Sequence, residues 1–183
     1  TLRNGRQATV RPLEFTDVEP LTAFFLSLSE DTRSRYAPHP FDRPTAEKLC
    51  ASIDNSQTVR FVAVLNDGQP DAEIIGYIIL TRYVGASDLQ RYGDRIRAAE
   101  CGSFAPVVAD AYQNQGIGTL MGRHILACAR EMGLTQVVLM GGVLATNTRA
   151  QHFYEKLGFR RVGEIWLNVH GVDKFGYDMM QDL

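Results

Sequence analysis

Apolar positions along this chain follow two rhythms. Short runs rich in Val, Ile and Phe read as strands: Thr9–Pro12, Val59–Val64, Ile74–Leu80, Phe104–Val108, Val137–Val143, Arg160–Trp166 and Lys174–Met180. Asn66-Asp67-Gly68 is turn chemistry, so the second and third of these are expected to pair antiparallel. A helical rhythm covers Val18 to Leu28 (after Thr16-Asp17), Pro44 to about Ile53, Ile117 to Met132 and Asn147 to Leu157. In the third of these, Ile117, Met121, Ile125, Cys128 and Met132 recur on one face, and Gly133 stands where a left-handed residue would stop the helix. Ser29 to Pro40 reads as irregular, with Pro38-His39-Pro40 forcing extended backbone, and the polar stretch Gly85 to Ala98 as a loop or short helix. The order is β-α-α-β-β-β-α-β-α-β-β. That predicts one α/β domain over residues 1–183, with antiparallel strands first and a βαβ unit afterwards.

Composition narrows this picture mainly by exclusion. The 183 residues are 45% hydrophobic and 22% charged, within the globular range. Nineteen basic and 21 acidic residues leave a net charge of −2, which gives no reason to expect a nucleic-acid or membrane partner. Cys50, Cys101 and Cys128 are odd in number and widely spaced, and no C-x-x-C occurs, so a reducing cytoplasm is the expected location. No two of His39, His124, His152 and His170 stand three or four residues apart, so the zinc-hydrolase helix pattern is absent and no metal is expected. No apolar run approaches the ~20 residues of a bilayer span, and Thr-Leu-Arg-Asn-Gly-Arg at the start lacks the apolar stretch of a secretory signal.

One segment carries chemistry. From Val107 to Thr119 the chain runs strand, turn, glycines, helix: Val107-Val108-Ala109-Asp110-Ala111-Tyr112-Gln113-Asn114-Gln115-Gly116-Ile117-Gly118-Thr119. A helix start leaves four backbone N–H groups without intrahelical partners and carries about half a positive charge, which attracts phosphate. Gly116 and Gly118, lacking Cβ, let a ligand approach closely. No Lys-Ser/Thr follows as a P-loop needs, and Met121 occupies the third glycine position of the dinucleotide fingerprint. Taken alone, the pattern fits a phosphate site or a plain tight turn.

Two motifs in register then resemble the Gcn5-related N-acetyltransferase (GNAT) family. Gln113, Gly116 and Gly118 match its acyl-CoA signature Gln/Arg-x-x-Gly-x-Gly/Ala. Asn147, Ala150, Tyr154, Lys156, Gly158 and Phe159 match Asn-x-x-Ala-x-x-x-Tyr-x-Lys-x-Gly-Phe, and one helix and one strand fill the interval. The resemblance covers Phe104 to Gly163 closely and the rest only in element order. It implies a largely antiparallel mixed sheet flanked by helices, with a splayed parallel strand pair at the acyl-CoA site. Pro106, which cannot donate a ladder bond, and Gly141-Gly142 are suited to that opening.

The resemblance further implies an acetyl-CoA-dependent enzyme that acetylates an amine, either a small molecule or a protein lysine, and it leaves a homodimer open. It places Val107, Val108, Gln113, Asn114, Gln115, Gly116, Ile117, Gly118, Thr119 and Asn147 at the coenzyme, Asn147 doubling as a helix cap. Tyr154 becomes the acid that protonates the departing sulfur, and the N–H of Val107 or Val108 the oxyanion donor. Glu100 is the candidate base, with a solvated loop-end acid as its plain alternative. Met140 to Asn147 also resembles bacterial protein-lysine acetyltransferases, but their glutamate before the strand aromatic is Ser103 here. Phe24-Phe25, Tyr36 and His39 serve either as acceptor lining or, more simply, as core. A non-catalytic acyl-CoA sensor on the same fold and a generic phosphate-binding module are the readings that binding without turnover would favour.

Overall fold

The computed structural model describes residues 5–169 and 171–183. Thr1 to Asn4 and His170, which entered the readings of the N-terminus and the histidines, lie outside them. The chain divides into two compact units, one comprising residues 1–79 and 106–121 and the other residues 80–105 and 122–183.

The first unit begins with strand β1 (Ala8–Pro12). Helices α1 (Val18–Ser27), α2 (Glu30–Arg35) and α3 (Arg43–Ala51) follow. Strands β2 (Thr58–Leu65) and β3 (Glu73–Thr81) then complete the order β1-β2-β3, with β1 antiparallel to β2. Both central strands are apolar nearly throughout: Val62, Ala63, Leu65, Ile75 and Tyr77 are fully enclosed, as are Leu21 and Phe25 of α1. Arg11 pins β1 to its surroundings by bonding Asp17 at 2.7 Å, just before α1, and Asp67 at 3.1 Å in the β2–β3 turn. Asp42 caps α3 through the Thr45 amide, with a proline in the first turn, as start signals require.

The irregular stretch expected from Ser29 to Pro40 contains α2. Ser29 caps it, acids open it and arginines close it, but Thr32 is the one residue it buries. A six-residue helix with a single inward position leaves no apolar periodicity to read.

In the second unit, α4 (Ala86–Tyr92) occupies the polar stretch after β3. Then come β4 (Cys101–Val108), α5 (Ile117–Glu131), β5 (Gln136–Leu139), β6 (Val143–Leu144), α6 (Thr148–Lys156), β7 (Arg160–Val169) and β8 (Val172–Asp182). Strand β4 begins in this unit and ends, from Pro106, in the first; α5 runs the opposite way, entering this unit at Gly122. The strand order is β4-β5-β8-β6, with β7 on β8. Strands β4 and β5 pair in parallel, and β8 is antiparallel to β5, β6 and β7. The architecture is thus the mixed, mostly antiparallel α/β arrangement flanked by helices that the sequence predicts.

The strand expected at Val137–Val143 is broken in two. Gly141 and Gly142 hold φ of +72° and +76°, a left-handed pair that no strand accommodates, so pairing resumes only at Val143. Both long helices of the βαβ region stop in the same way. Gly133 and Gly158 are left-handed, and the residues after them donate back five positions, Leu134 to Ala129 and Phe159 to Tyr154.

Candidate functional site

The turn after β4 belongs to the first unit. Ala109 leaves the strand by donating its N–H to the Ile75 carbonyl (2.9 Å), and a single 3-10 turn, Asp110–Tyr112, follows. Asn114 and Gly116 are both left-handed, with φ of +62° and +88°. Alternation of hand before a helix start is the backbone pattern that gathers N–H groups around an anion. A Cβ added at Gly116 would meet no atom within 4 Å, so the turn is open on that side. The two glutamines face their own backbone: Gln113 Nε2 donates to the Val108 carbonyl at 3.0 Å and Gln115 Nε2 to that of Ala111 at 3.0 Å. They hold the turn in shape, and the chain then enters α5, whose first amides lack intrahelical partners. The left-handed Asn114 is a signal that sequence reasoning passed over; Asn tolerates that region better than other non-glycine residues.

Asp110 ties this turn to α2. Its carboxylate accepts the Ser29 amide (2.9 Å), the Ser29 hydroxyl (2.9 Å) and the Thr32 hydroxyl (2.7 Å). Burial works to raise its pKa and is the largest single influence. These bonds together outweigh it and hold the carboxyl below the usual range. Beside it, Pro20, Phe24, Ile74, Ala109 and Tyr112 line a mainly apolar cavity of about 270 Å³.

Phe24, Phe25, Tyr36 and His39 cluster with Phe41 and Tyr77, and Tyr36 and His39 stay partly exposed. Phe24 and Phe25 are buried, and Phe25 packs edge-on against Tyr77 at 5.8 Å. Tyr36 stacks on Phe41. His39 bonds the Pro40 carbonyl through Nδ1 (2.8 Å) and the Tyr77 hydroxyl through Nε2 (3.1 Å), which suits a neutral ring. Its burial lowers its pKa, in the same sense.

The second unit holds the other candidates. Asn147 caps α6, its Oδ1 accepting the Ala150 amide at 3.2 Å. Tyr154 lies on the same helix in an aromatic row: its ring is 5.0 Å from Phe153 and 5.7 Å from Phe159, and Phe159 stacks on Phe104 at 5.7 Å. Desolvation beside these rings raises the Tyr154 phenol well above its ordinary value of 10.0, so it stays neutral at physiological pH. Phe104 also marks the end of the parallel ladder. Pairing runs from Cys101↔Gln136 to Phe104↔Leu139, and a last bond joins the Met140 amide to the Phe104 carbonyl at 3.1 Å.

Glu100 stands apart from this row. It is exposed at the start of β4, where its carboxylate accepts from the Thr135 hydroxyl (2.8 Å) and Arg97 Nε (3.1 Å); both bonds lower its pKa. Four strand steps, ~13 Å, separate it from Phe104. Ser103 is buried, its hydroxyl spent on the Tyr83 carbonyl at 3.1 Å. No cluster of His, Cys, Asp or Glu able to hold a metal occurs among the described residues.

The acetyltransferase (GNAT) family profile matches residues 22–159. An acetyltransferase of Pseudomonas aeruginosa is 30% identical over 139 residues, 75% of this chain and 67% of that protein. Among solved structures, the GNAT domain of S. lividans PAT superposes with a TM-score of 0.74 at 24% identity, covering 100% of this chain and 94% of that one. AAC(6')-Ib, solved with paromomycin and acetyl-CoA, gives 0.69 at 18% identity over 96% and 93% of the two chains. At these identities the structural likeness speaks for the fold.

Proposed function

Because the chain belongs to the acetyltransferase (GNAT) family, we propose that residues 1–183 act as one domain that moves an acetyl group from acetyl-CoA to a primary amine. The observation that carries this reading is the open turn with left-handed Asn114 and Gly116 at the head of α5, a cradle fitted to a pyrophosphate. Bound acetyl-CoA supplies the activated acetyl group and departs as a free thiol. The amides of Asn114 to Thr119 hold the coenzyme's phosphates, and Asn147 offers its Nδ2 to the pantetheine. The N–H of Val107 or Val108 takes the charge that develops on the carbonyl oxygen. Tyr154 gives its proton to the sulfur as the carbon–sulfur bond breaks. The attacking nitrogen must arrive neutral and sheds its extra proton to water.

Glu100 has a structural task in this scheme. Fixed by Thr135 and Arg97 at the far end of β4 from the turn, it anchors the strand start. Glu100→Gln is therefore expected to change kcat by less than about twofold; a hundredfold loss would restore the carboxylate as the base. The pH dependence follows from the two remaining groups. An alkylamine with pKa near 10.4 becomes reactive tenfold per pH unit below that value. The Tyr154 phenol, raised above 10.0, stays protonated throughout. With an alkylamine acceptor, kcat/KM should climb with unit slope from pH 7 to 9 and show no fall from loss of the acid. A decline within that range would point to an acid of much lower pKa.

The direct test is thiol release from acetyl-CoA with a panel of primary amines, amino acids, aminoglycosides and lysine peptides. Acetylation of any of them supports the reading. Tight acetyl-CoA binding with no acetylation across the panel would overturn it.

A further inference from the structure

Helix α4 belongs to a polar insertion that the acyl-transfer chemistry does not use, yet it carries one side of a buried charge cluster. Arg91 Nη2 lies 2.7 Å from Asp88 of the same helix and 3.0 Å from Asp178 of β8, and its Nε is 3.2 Å from the same Asp178 oxygen. The Asp88 and Asp178 side chains are 6% and 2% exposed. Enclosing two carboxylates around one guanidinium costs desolvation energy that a purely structural contact need not incur. The Tyr92 hydroxyl adds a bond to the Met179 carbonyl at 2.9 Å, fastening the helix to β8.

The second oxygen of Asp88 is what links this cluster to the active region. It accepts the backbone N–H of Gly141 at 3.2 Å. Gly141 comes directly after Met140, whose amide makes the last bond of the β4–β5 ladder. At Gly141 and Gly142 the backbone turns left-handed, and a Cβ on Gly142 would lie 2.9 Å from the Tyr177 carbonyl, so the chain is pressed against β8 there. A strand amide that has lost its ladder partner would otherwise be free to seek one in β4. Asp88 satisfies it on the α4 side instead.

We propose that Asp88, set in place by Arg91 and Asp178, is a positioning residue that ends β5 after Leu139 and holds the β4–β5 pair open for the thioester arm of acetyl-CoA, a role that rests on the function proposed above. The charge count makes the test practicable. Removing Asp88 leaves Arg91 and Asp178 as a one-to-one pair, so no uncompensated carboxylate is created. Asp88→Ala deletes the acceptor for the Gly141 amide, whereas Asp88→Asn keeps a carbonyl oxygen there.

In the free protein, amide exchange followed residue by residue should be about 100-fold faster at Gly141 in the Ala variant and within about fivefold of wild type in the Asn variant. Val137 and Val138, inside the ladder, should be unchanged in both. The KM for acetyl-CoA should rise about tenfold in the Ala variant, with kcat within about threefold, and return toward wild type in the Asn variant. Unchanged Gly141 exchange in Asp88→Ala would overturn the proposal. So would faster exchange with an unaltered KM. A wild-type protein that neither binds nor turns over acetyl-CoA would defeat the proposed function instead, and the exchange comparison would still decide whether Asp88 holds the strand end.

Discussion

Tyr154→Phe is expected to lower kcat about 100-fold while the KM for acetyl-CoA stays within about twofold, a loss of about 2.7 kcal/mol confined to the chemical step. The substitution deletes one oxygen and keeps the ring, so the packing against Phe153 and Phe159 persists. What disappears is a neutral phenol held in apolar surroundings. The charge that develops on the departing sulfur, whose thiol has a pKa near 8.5, is met directly by this hydroxyl, and water must replace that donor in the variant. Steady-state kinetics at saturating acceptor, with calorimetry for acetyl-CoA, would separate the two parameters. Unchanged kcat would remove Tyr154 from the mechanism. A parallel loss of acetyl-CoA affinity would make it a binding residue.

The largest effect on stability is expected at the next residue of the aromatic row. Phe159 is 3% exposed and lies between Phe104 and Tyr154. Phe159→Ala should cost about 3–4 kcal/mol in urea unfolding, because the ring's transfer energy is lost and the cavity only partly collapses. Phe159→Leu, which fills much of the volume, should cost about half as much. The Ala variant should also lose kcat beyond what its folded fraction explains, since Tyr154 then lacks a wall on one side. A cost under about 1 kcal/mol would mean that the row is loosely packed and does not orient the acid.

These two residues were legible in the sequence because their motif is local. Asn147, Tyr154, Gly158 and Phe159 span little more than three helical turns. Each has a role that the backbone itself dictates: a cap at Asn147, a left-handed stop at Gly158, a bond from the Phe159 amide back to Tyr154. The turn at Gln113–Thr119 was legible for the same reason. Where the reading fell short, the determining contact was remote. Helix α2 went unseen because its stabilising partner, Asp110, lies 78 to 81 positions away and apolar rhythm plays little part in it. Glu100, a candidate base because it precedes a core strand, has neighbours across the fold, among them Thr135 35 residues on, that no local pattern records.

By itself, then, the sequence determined most of the longer helices and strands, the helix caps and stops, and the glycine turn at the head of α5. All of these are settled by interactions within about five residues, where chain geometry leaves few choices. The tertiary structure decided where the parallel ladder ends and which carboxylates are buried. Asp88 meets Gly141 across 53 residues and Arg91 meets Asp178 across 87. No local pattern records such pairings, because closing loops of that length costs entropy that only the collective packing of the folded chain repays.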